Sequence, residues 1–166
     1  MTSTCCEDVT LLPSKRANET VPVQVDWHDY LANLREPGVA FAADAIVRPR
    51  RSEATGLQYR CTVAGIASGV PTGRLRWPKS LGATLTDGTV VWTAEAMAAT
   101  SLRTTVSSDQ WPSVTGLTIS GPANADYVYQ ALIAGGVAGQ SYDLTHQIVC
   151  ANGEVAEREA RLPVQD

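Results

Sequence analysis

The amino-acid sequence predicts an all-β fold, an antiparallel sandwich of short strands. Three observations indicate this class. Segments in which apolar and polar residues alternate follow one another through the second half of the chain, at the spacing typical of a sandwich. The 13 Gly and 9 Pro among 166 residues suit the many turns that short strands need. The dipeptide Asn152-Gly153, between two alternating segments, is a strong hairpin signal.

The final hairpin carries the most detailed expectation. We expect Asn152 and Gly153 to form a two-residue turn in which both residues have positive φ. Alternation then places one face of each strand in the core, and the other predicted strands of the second half end at similar turn residues. The predicted core residues of the hairpin are Tyr142, Leu144, Ile148, Leu162 and Val164, and the predicted strands are 102–107, 114–120, 127–134, 142–150 and 155–164.

The middle of the chain predicts a short helical turn and a small β-module. Asp26 can cap a helical turn whose apolar face contains Trp27, Tyr30, Leu31 and Leu34. An apolar stretch at 39–47 is a candidate strand. The strand 57–64, the turn at Asp87-Gly88 and the strand 89–93 then have the pattern of a hairpin module, and 94–99 is too short to be more than a connector.

Residues 1–24 show no strand or helical period, which predicts an extended N-terminal arm rather than part of a core. Such an arm becomes ordered against a partner, and a disordered leader is the alternative. The predicted interface residues are Leu11, Leu12, Val21, Val23, Trp27 and Tyr30.

Net charge and hydropathy argue against several classes of function. A formal net charge of −4 does not suit a protein whose main role is to bind nucleic acid. Arg48, Arg50 and Arg51 form a basic run that we interpret as a solvated loop or a salt-bridging edge. No apolar run reaches the about 20 residues that cross a bilayer, and we find no signal peptide. We expect neither a membrane nor nucleic acid among the partners.

The four cysteines predict no metal centre. Cys61 and Cys150 lie in predicted strands and are interpreted as buried apolar residues. Cys5 and Cys6 are adjacent and cannot form an unstrained bridge with each other, so a disulfide between chains is the alternative for that pair. No CxxC or His-spaced zinc pattern occurs.

Candidate catalytic residues are few. His28 lies in the helical turn, where a cap or surface role is expected, and His146 lies within a strand. No Ser or Cys nucleophile motif accompanies them, so we expect no catalytic residue and no cofactor. Trp77, Trp92 and Trp111 could stack on a sugar, as in a carbohydrate-binding module, although core packing is the favoured interpretation.

Two groups of motifs resemble those of phage proteins. One consists of 26–31, 134–145, the Asn152-Gly153 turn, Glu157-Arg158 and 162–164, and it is similar to the opening and closing motifs of phage fibre-tail adaptor proteins. The other runs from Tyr59 and Cys61 through Gly69, Trp77-Pro78, Gly82, Thr84 and 87–90 to Trp92, and it resembles a β-module of phage fibre and tail proteins.

The first resemblance implies an immunoglobulin-like sandwich, and the second implies a small β-module that we expect to be inserted in it. We therefore predict an arm at 1–24, a sandwich formed by 25–56 and 98–166, and a small inserted β-module at 57–97. The first resemblance also implies a structural virion protein, made in the bacterial host cytoplasm, that attaches fibres or collar subunits to the neck or tail. Its partners would be copies of itself in a ring and portal, connector, tail or fibre proteins. The alternatives are a capsid decoration or head-fibre protein, a carbohydrate-binding module and, more remotely, a hydrolase.

Overall fold

The computed structural model describes residues 10–98 and 102–166, which consist mainly of strands and turns. This confirms the predicted all-β class. Helical structure in this part is limited to α1, His28–Leu31, and to 3₁₀ helices at Arg51–Glu53 and Thr72–Arg74. The strands in chain order are β1 Thr10–Leu11, β2 Lys15–Arg16, β3 Val21–Asp26, β4 Ala40–Phe41, β5 Ile46–Val47, β6 Leu57–Val63, β7 Gly65–Ile66, β8 Thr84–Asp87, β9 Val90–Ala96, β10 Val106–Gln110, β11 Leu117–Ala125, β12 Val128–Gly135, β13 Ser141–Cys150 and β14 Val155–Gln165.

The chain forms two compact units. The first contains the described residues up to Trp27 together with Thr104–Asp166, and the second is His28–Arg103. The sequence places the inserted module at 57–97, but residues 28–56 also lie in the second unit. The reason is strand pairing, because β5 pairs with β6 and β4 pairs with β7.

The first unit is a β-sandwich. One sheet has the order β1-β14-β13-β10, with β2 also paired to β14, and the other has the order β11-β12-β3. The side chains of both sheets meet in one apolar core, which explains why their strands alternate between buried and exposed residues. Its fully buried members are Val23, Ala131, Ile133, Leu144 and Leu162.

The last two strands form the longest hairpin of this unit, with Tyr142 opposite Leu162 and Leu144 opposite Ala160. All five predicted core residues of the hairpin are at most 9% exposed. The turn differs from the predicted one. Gly153 donates its N–H to Cys150 O, Cys150 donates to Glu154 O, and only Gly153 of the pair has positive φ, at 83°. A three-residue loop that ends in a left-handed glycine accounts for this geometry.

Residues 10–26 contribute β1, β2 and β3 to the first unit rather than forming an extended arm. β1 and β2 pair in parallel with β14, and β3 pairs with β12 from Val21 opposite Ile133 to Asp26 opposite Val128. The buried Lys15 donates from Nζ to Gly135 O at 2.7 Å, which fixes β2 to the end of β12. The rest of the predicted arm, residues 1–9, lies outside the described residues.

The second unit is built around the four-stranded sheet β5-β6-β9-β8. The predicted hairpin is β8 and β9, in which Asp87 lies opposite Val90. The stretch at 39–47 forms β4 and β5 separated by a turn, rather than one strand. The core of this unit contains Val47, Tyr59, Cys61, Trp77, Val90, Trp92 and Ala94.

Candidate functional site

The first unit has a cleft between two strands that lie at sheet edges. β10 ends one sheet and β11 ends the other, so neither has a second neighbouring strand among the described residues. The cleft has a volume of about 460 Å³, and a half-buried tryptophan lies in its wall. Its lining residues are Asp109, Gln110, Trp111, Ser113, Leu117, Ile119, Pro122, Ala123 and Asn124.

The chemistry of the cleft lining is suited to contacts with a polypeptide segment. The lining combines apolar side chains with amides and one carboxylate, and backbone groups at exposed sheet edges can pair with an added strand. No group of three or more His, Cys, Asp or Glu residues in the described ranges could hold a metal ion.

A buried histidine lies beside the cleft wall. His146 is fully buried, and its ring packs against those of Trp111 and Tyr129, with centroids 4.6 and 4.8 Å away. Trp27 Nε1 donates to His146 Nδ1 at 2.8 Å. Because an indole N–H only donates, Nδ1 is the acceptor, and the ring proton of the neutral imidazole is on Nε2, 3.4 Å from Asp109 Oδ2.

The protonation state of His146 follows from its surroundings. Burial lowers the pKa of His146, and the Asp109 carboxylate offsets that effect only in part. The neutral ring therefore links the indole of Trp27 to the carboxylate of Asp109, which lines the cleft. It has no exposed surface for a substrate.

His28 and Arg48 are buried, unlike the surface positions that the sequence predicts for them. His28 is 1% exposed rather than on the surface, and its Nδ1 lies 3.0 Å from Asp29 Oδ1. Arg48 is 3% exposed and donates to Ala98 O, so it belongs to the interior. Arg50 and Arg51 are exposed, as expected of a loop.

The predicted interface residues are divided between surface and core. Leu11 is 70% exposed, but Val23 and Trp27 are buried. Val23 is buried because β3 is a paired strand whose alternate side chains point into the sandwich. Trp27 follows β3 and is hydrogen-bonded to the buried His146. The remaining three, Leu12, Val21 and Tyr30, are half-buried.

The tryptophans are used mainly for packing. Trp77 and Trp92 are buried in the second unit, with ring centroids 6.3 Å apart, so they cannot form a sugar-stacking face. Trp111 is half-buried and lines the cleft. Cys61 and Cys150 are both buried, whereas Cys5 and Cys6 lie outside the described residues.

A buried ion pair that the sequence does not reveal organises the second unit. Arg35 Nε and Nη2 donate to the two oxygens of Asp87 at 2.9 and 2.8 Å, and both side chains are fully buried. Ser68 and the indole of Trp92 donate to the same carboxylate. Burial by itself would raise the pKa of Asp87, but the hydrogen bonds from Arg35, Ser68 and Trp92 outweigh it and lower that pKa. The Asp87 carboxylate therefore holds the segments that contain Arg35 and Ser68 against β8.

Comparison with known families agrees with a binding role. The fold defines an all-β protein whose sandwich has a cleft between two edge strands. The model of the podophage GP4 fiber-tail adaptor protein gp77 family matches residues 79–163, about half of the chain, and the chain belongs to this family. No curated protein matches it. The match begins at Lys79, before β8, and ends at Pro163, within β14.

Membership has direct consequences. The chain is a bacteriophage structural protein of the tail-adaptor class, and membership implies a place in the virion, contacts with other virion proteins and a role other than catalysis. In the described ranges, no helix has the length and hydropathy needed to span a membrane.

Proposed function

We propose that this protein attaches fibres or collar subunits to the neck or tail of a tailed bacteriophage, with several copies arranged in a ring. The family match over residues 79–163 carries this proposal. Two features of the first unit support it: the cleft and the unpaired edges of β10 and β11. A segment of the fibre or collar partner docks in the cleft, and attachment depends on surface complementarity without turnover or cofactor.

Substitutions in the cleft test the proposal. Ala123 is exposed and lines the cleft, so Ala123→Arg fills the cleft without removing a core contact. Thr118 is exposed on the same strand but does not line the cleft, and Thr118→Arg is the matched control. Each variant is supplied to a phage that lacks the wild-type gene, and fibre content per particle is measured by quantitative mass spectrometry.

We expect particles with Ala123→Arg to contain the adaptor but to lose most of their fibres, and Thr118→Arg particles to resemble the parent. Electron microscopy of labelled particles locates the chain. A position on the capsid lattice would favour a decoration or head-fibre role. If the chain were absent from particles and bound a purified glycan, the carbohydrate-binding alternative would be favoured. Either result contradicts the proposed attachment.

The non-enzymatic part of the proposal has its own test. His146→Gln removes the one histidine that lies next to the cleft wall and retains an amide of similar reach. We expect neither the parent nor this variant to cleave peptidoglycan or capsular sugar. A hydrolytic activity of the parent that disappears in His146→Gln would contradict it.

A further inference from the structure

Two segments of the second unit contribute a surface of exposed cations. Arg50 and Arg51 lie at the start of the first 3₁₀ helix, and the second segment contains the end of the other 3₁₀ helix and the residues after it. The Lys and Arg side chains of these two segments are five in number, and all are exposed. This basic surface consists of Arg50, Arg51, Arg74, Arg76 and Lys79.

Contacts of Glu53 bring the two segments together. Trp77 Nε1 donates to Glu53 Oε2 at 3.2 Å, and a Cβ built on Gly73 would lie 3.3 Å from Glu53 Oε1. Trp77 is itself buried against Tyr59, with ring centroids 4.4 Å apart, and Tyr59 Oη donates to Pro78 O. The segment that contains Arg74, Arg76 and Lys79 is therefore fixed to the core of the second unit through Trp77 and Pro78.

Little negative charge offsets these cations. Asp29 accepts from the Arg51 N–H and lies 3.7 Å from Arg50, and Glu53 is half-buried. In the described part of the chain, no carboxylate forms an ion pair with Arg74, Arg76 or Lys79. Three of the five positive charges are thus available to a partner.

Charge is unequally divided between the two units. The second unit has nine Lys and Arg against six Asp and Glu, a net charge of +3, and the rest of the chain has four against eleven, a net charge of −7. On the first unit, Glu157 and Glu159 are exposed on the outward face of β14. Glu157 accepts a hydrogen bond from the neutral amide of Gln147 at 2.5 Å, and Arg161, the next exposed residue on this face, pairs with Asp143. We call these two glutamates the acidic face.

We propose that the basic surface of one copy binds the acidic face of a second copy. This inference rests on the proposed ring of copies and identifies the surfaces that would join them. Because two different surfaces meet, the contact is heterologous and can repeat from copy to copy around a ring. Opposite charges steer such an association and make it sensitive to salt. A nucleic acid is a poorer occupant, since every copy also carries the first unit with its excess of negative charge.

Charge reversal tests the contact in the full-length chain. Sedimentation velocity measures self-association of the parent at about 50 mM and about 500 mM salt, where screening differs strongly. Three variants follow: Arg74→Glu with Arg76→Glu, Glu157→Arg with Glu159→Arg, and all four changes in one chain. The fourfold variant has the net charge of the parent and is the matched control. Circular dichroism and melting temperature confirm that each variant folds.

We expect the parent to associate at low salt, with affinity lower by about tenfold or more at high salt. Each charge-reversed pair alone should abolish association, whereas an equimolar mixture of the two variants, and the fourfold variant by itself, should restore it. A parent that stays monomeric at low salt, or folded pair variants that associate like the parent, would overturn the inference. Neither result affects fibre content in particles with Ala123→Arg, so the attachment role is judged separately.

Discussion

Gly153 and Gly88 both have positive φ, at 83° and 68°, but their surroundings differ. Nothing lies within 4 Å of a Cβ built on Gly153, whereas a Cβ on Gly88 would lie 2.4 Å from Ile66 O. At Gly153 a substitution therefore meets only the backbone preference, and at Gly88 it also meets a backbone atom of the neighbouring loop. Two turns that look alike in the sequence have different requirements.

Substitutions separate these two requirements. Gly153→Val should lower the free energy of unfolding by an amount of order 1–3 kcal/mol, because β-branched residues avoid positive φ. Gly153→Asn should recover most of that loss, since Asn tolerates the left-handed region. Gly88→Asn should not, because its Cβ meets Ile66 O. Urea denaturation measures all three, and a Gly88→Asn chain as stable as the parent would contradict the close approach.

The Arg35–Asp87 pair gives a second prediction at this scale. Asp87→Asn leaves the guanidinium of Arg35 buried without its counter-charge, which should destabilise the second unit by about 3–5 kcal/mol. Asp143→Asn is the matched control, since Asp143 pairs with Arg161 at 2.7 Å in an exposed position. Denaturant titration should show a much smaller change for the control. Equal losses would mean that burial of the pair is unimportant.

The same carboxylate sets a dependence on pH. Since the pKa of folded Asp87 lies below its unfolded value of about 3.9, its contribution is fully present above that value and is lost as pH falls through the folded pKa. The free energy of unfolding of the parent should therefore decrease in acid, and the decrease should be smaller for Asp87→Asn, which lacks the titrating carboxylate.

At the scale of elements, the last hairpin is the part of the fold that local sequence patterns predict best. Its strands alternate strictly, so the buried face can be predicted from the residues alone. β3 was harder to predict because Pro22 interrupts Val21 and Val23, yet the strand lies at the end of its sheet, where a proline is tolerated. β1 and β2 have only two residues each and depend on β14, about 150 residues later in the chain.

The candidate site was less predictable than the hairpin because, as with β1 and β2, its contacts depend on residues that are far apart in sequence. The contact of Trp27 with His146 beside the cleft joins residues that are distant in sequence, and so does the Arg35–Asp87 pair of the second unit. No local pattern marks such a partner. Arg74, Arg76 and Lys79 do form a basic run that can be seen in the sequence, but only folding places it beside Arg50 and Arg51.

The hairpin also supports a prediction about packing. Leu162 is 1% exposed in the core of the sandwich, so Leu162→Ala should leave a cavity and cost about 2–5 kcal/mol. Val155 lies on the same strand but is 51% exposed, which makes Val155→Ala the control. Thermal denaturation should show a clear decrease in melting temperature only for Leu162→Ala. If both variants melted like the parent, the hairpin would not contribute to the core.

At the scale of the whole molecule, the chain forms two cores, and the first unit is made of two segments that are separated in sequence by the second unit. The chain completes β3 of the sandwich, forms the second unit from His28 to Arg103 and then returns to the sandwich. Each unit has its own buried aromatic residues, with Trp27 in the first and Trp92 in the second. Because the two apolar clusters share no residue, the effect of a core substitution should depend on the unit in which it lies.

Hydrogen exchange tests that division directly. Asp87→Asn removes a charge from the second unit, and we expect faster exchange of backbone amides in β6, β8 and β9, with β13 and β14 unchanged. Leu162→Ala should have the opposite pattern, since its cavity lies between the sheets of the sandwich. Peptides that cover β9 and β13 provide the readout by mass spectrometry, and Val155→Ala is the control for both. If either substitution accelerated exchange equally in all of these strands, the two units would unfold as one cooperative structure, and the loss of either core would also disrupt the surface presented by the other.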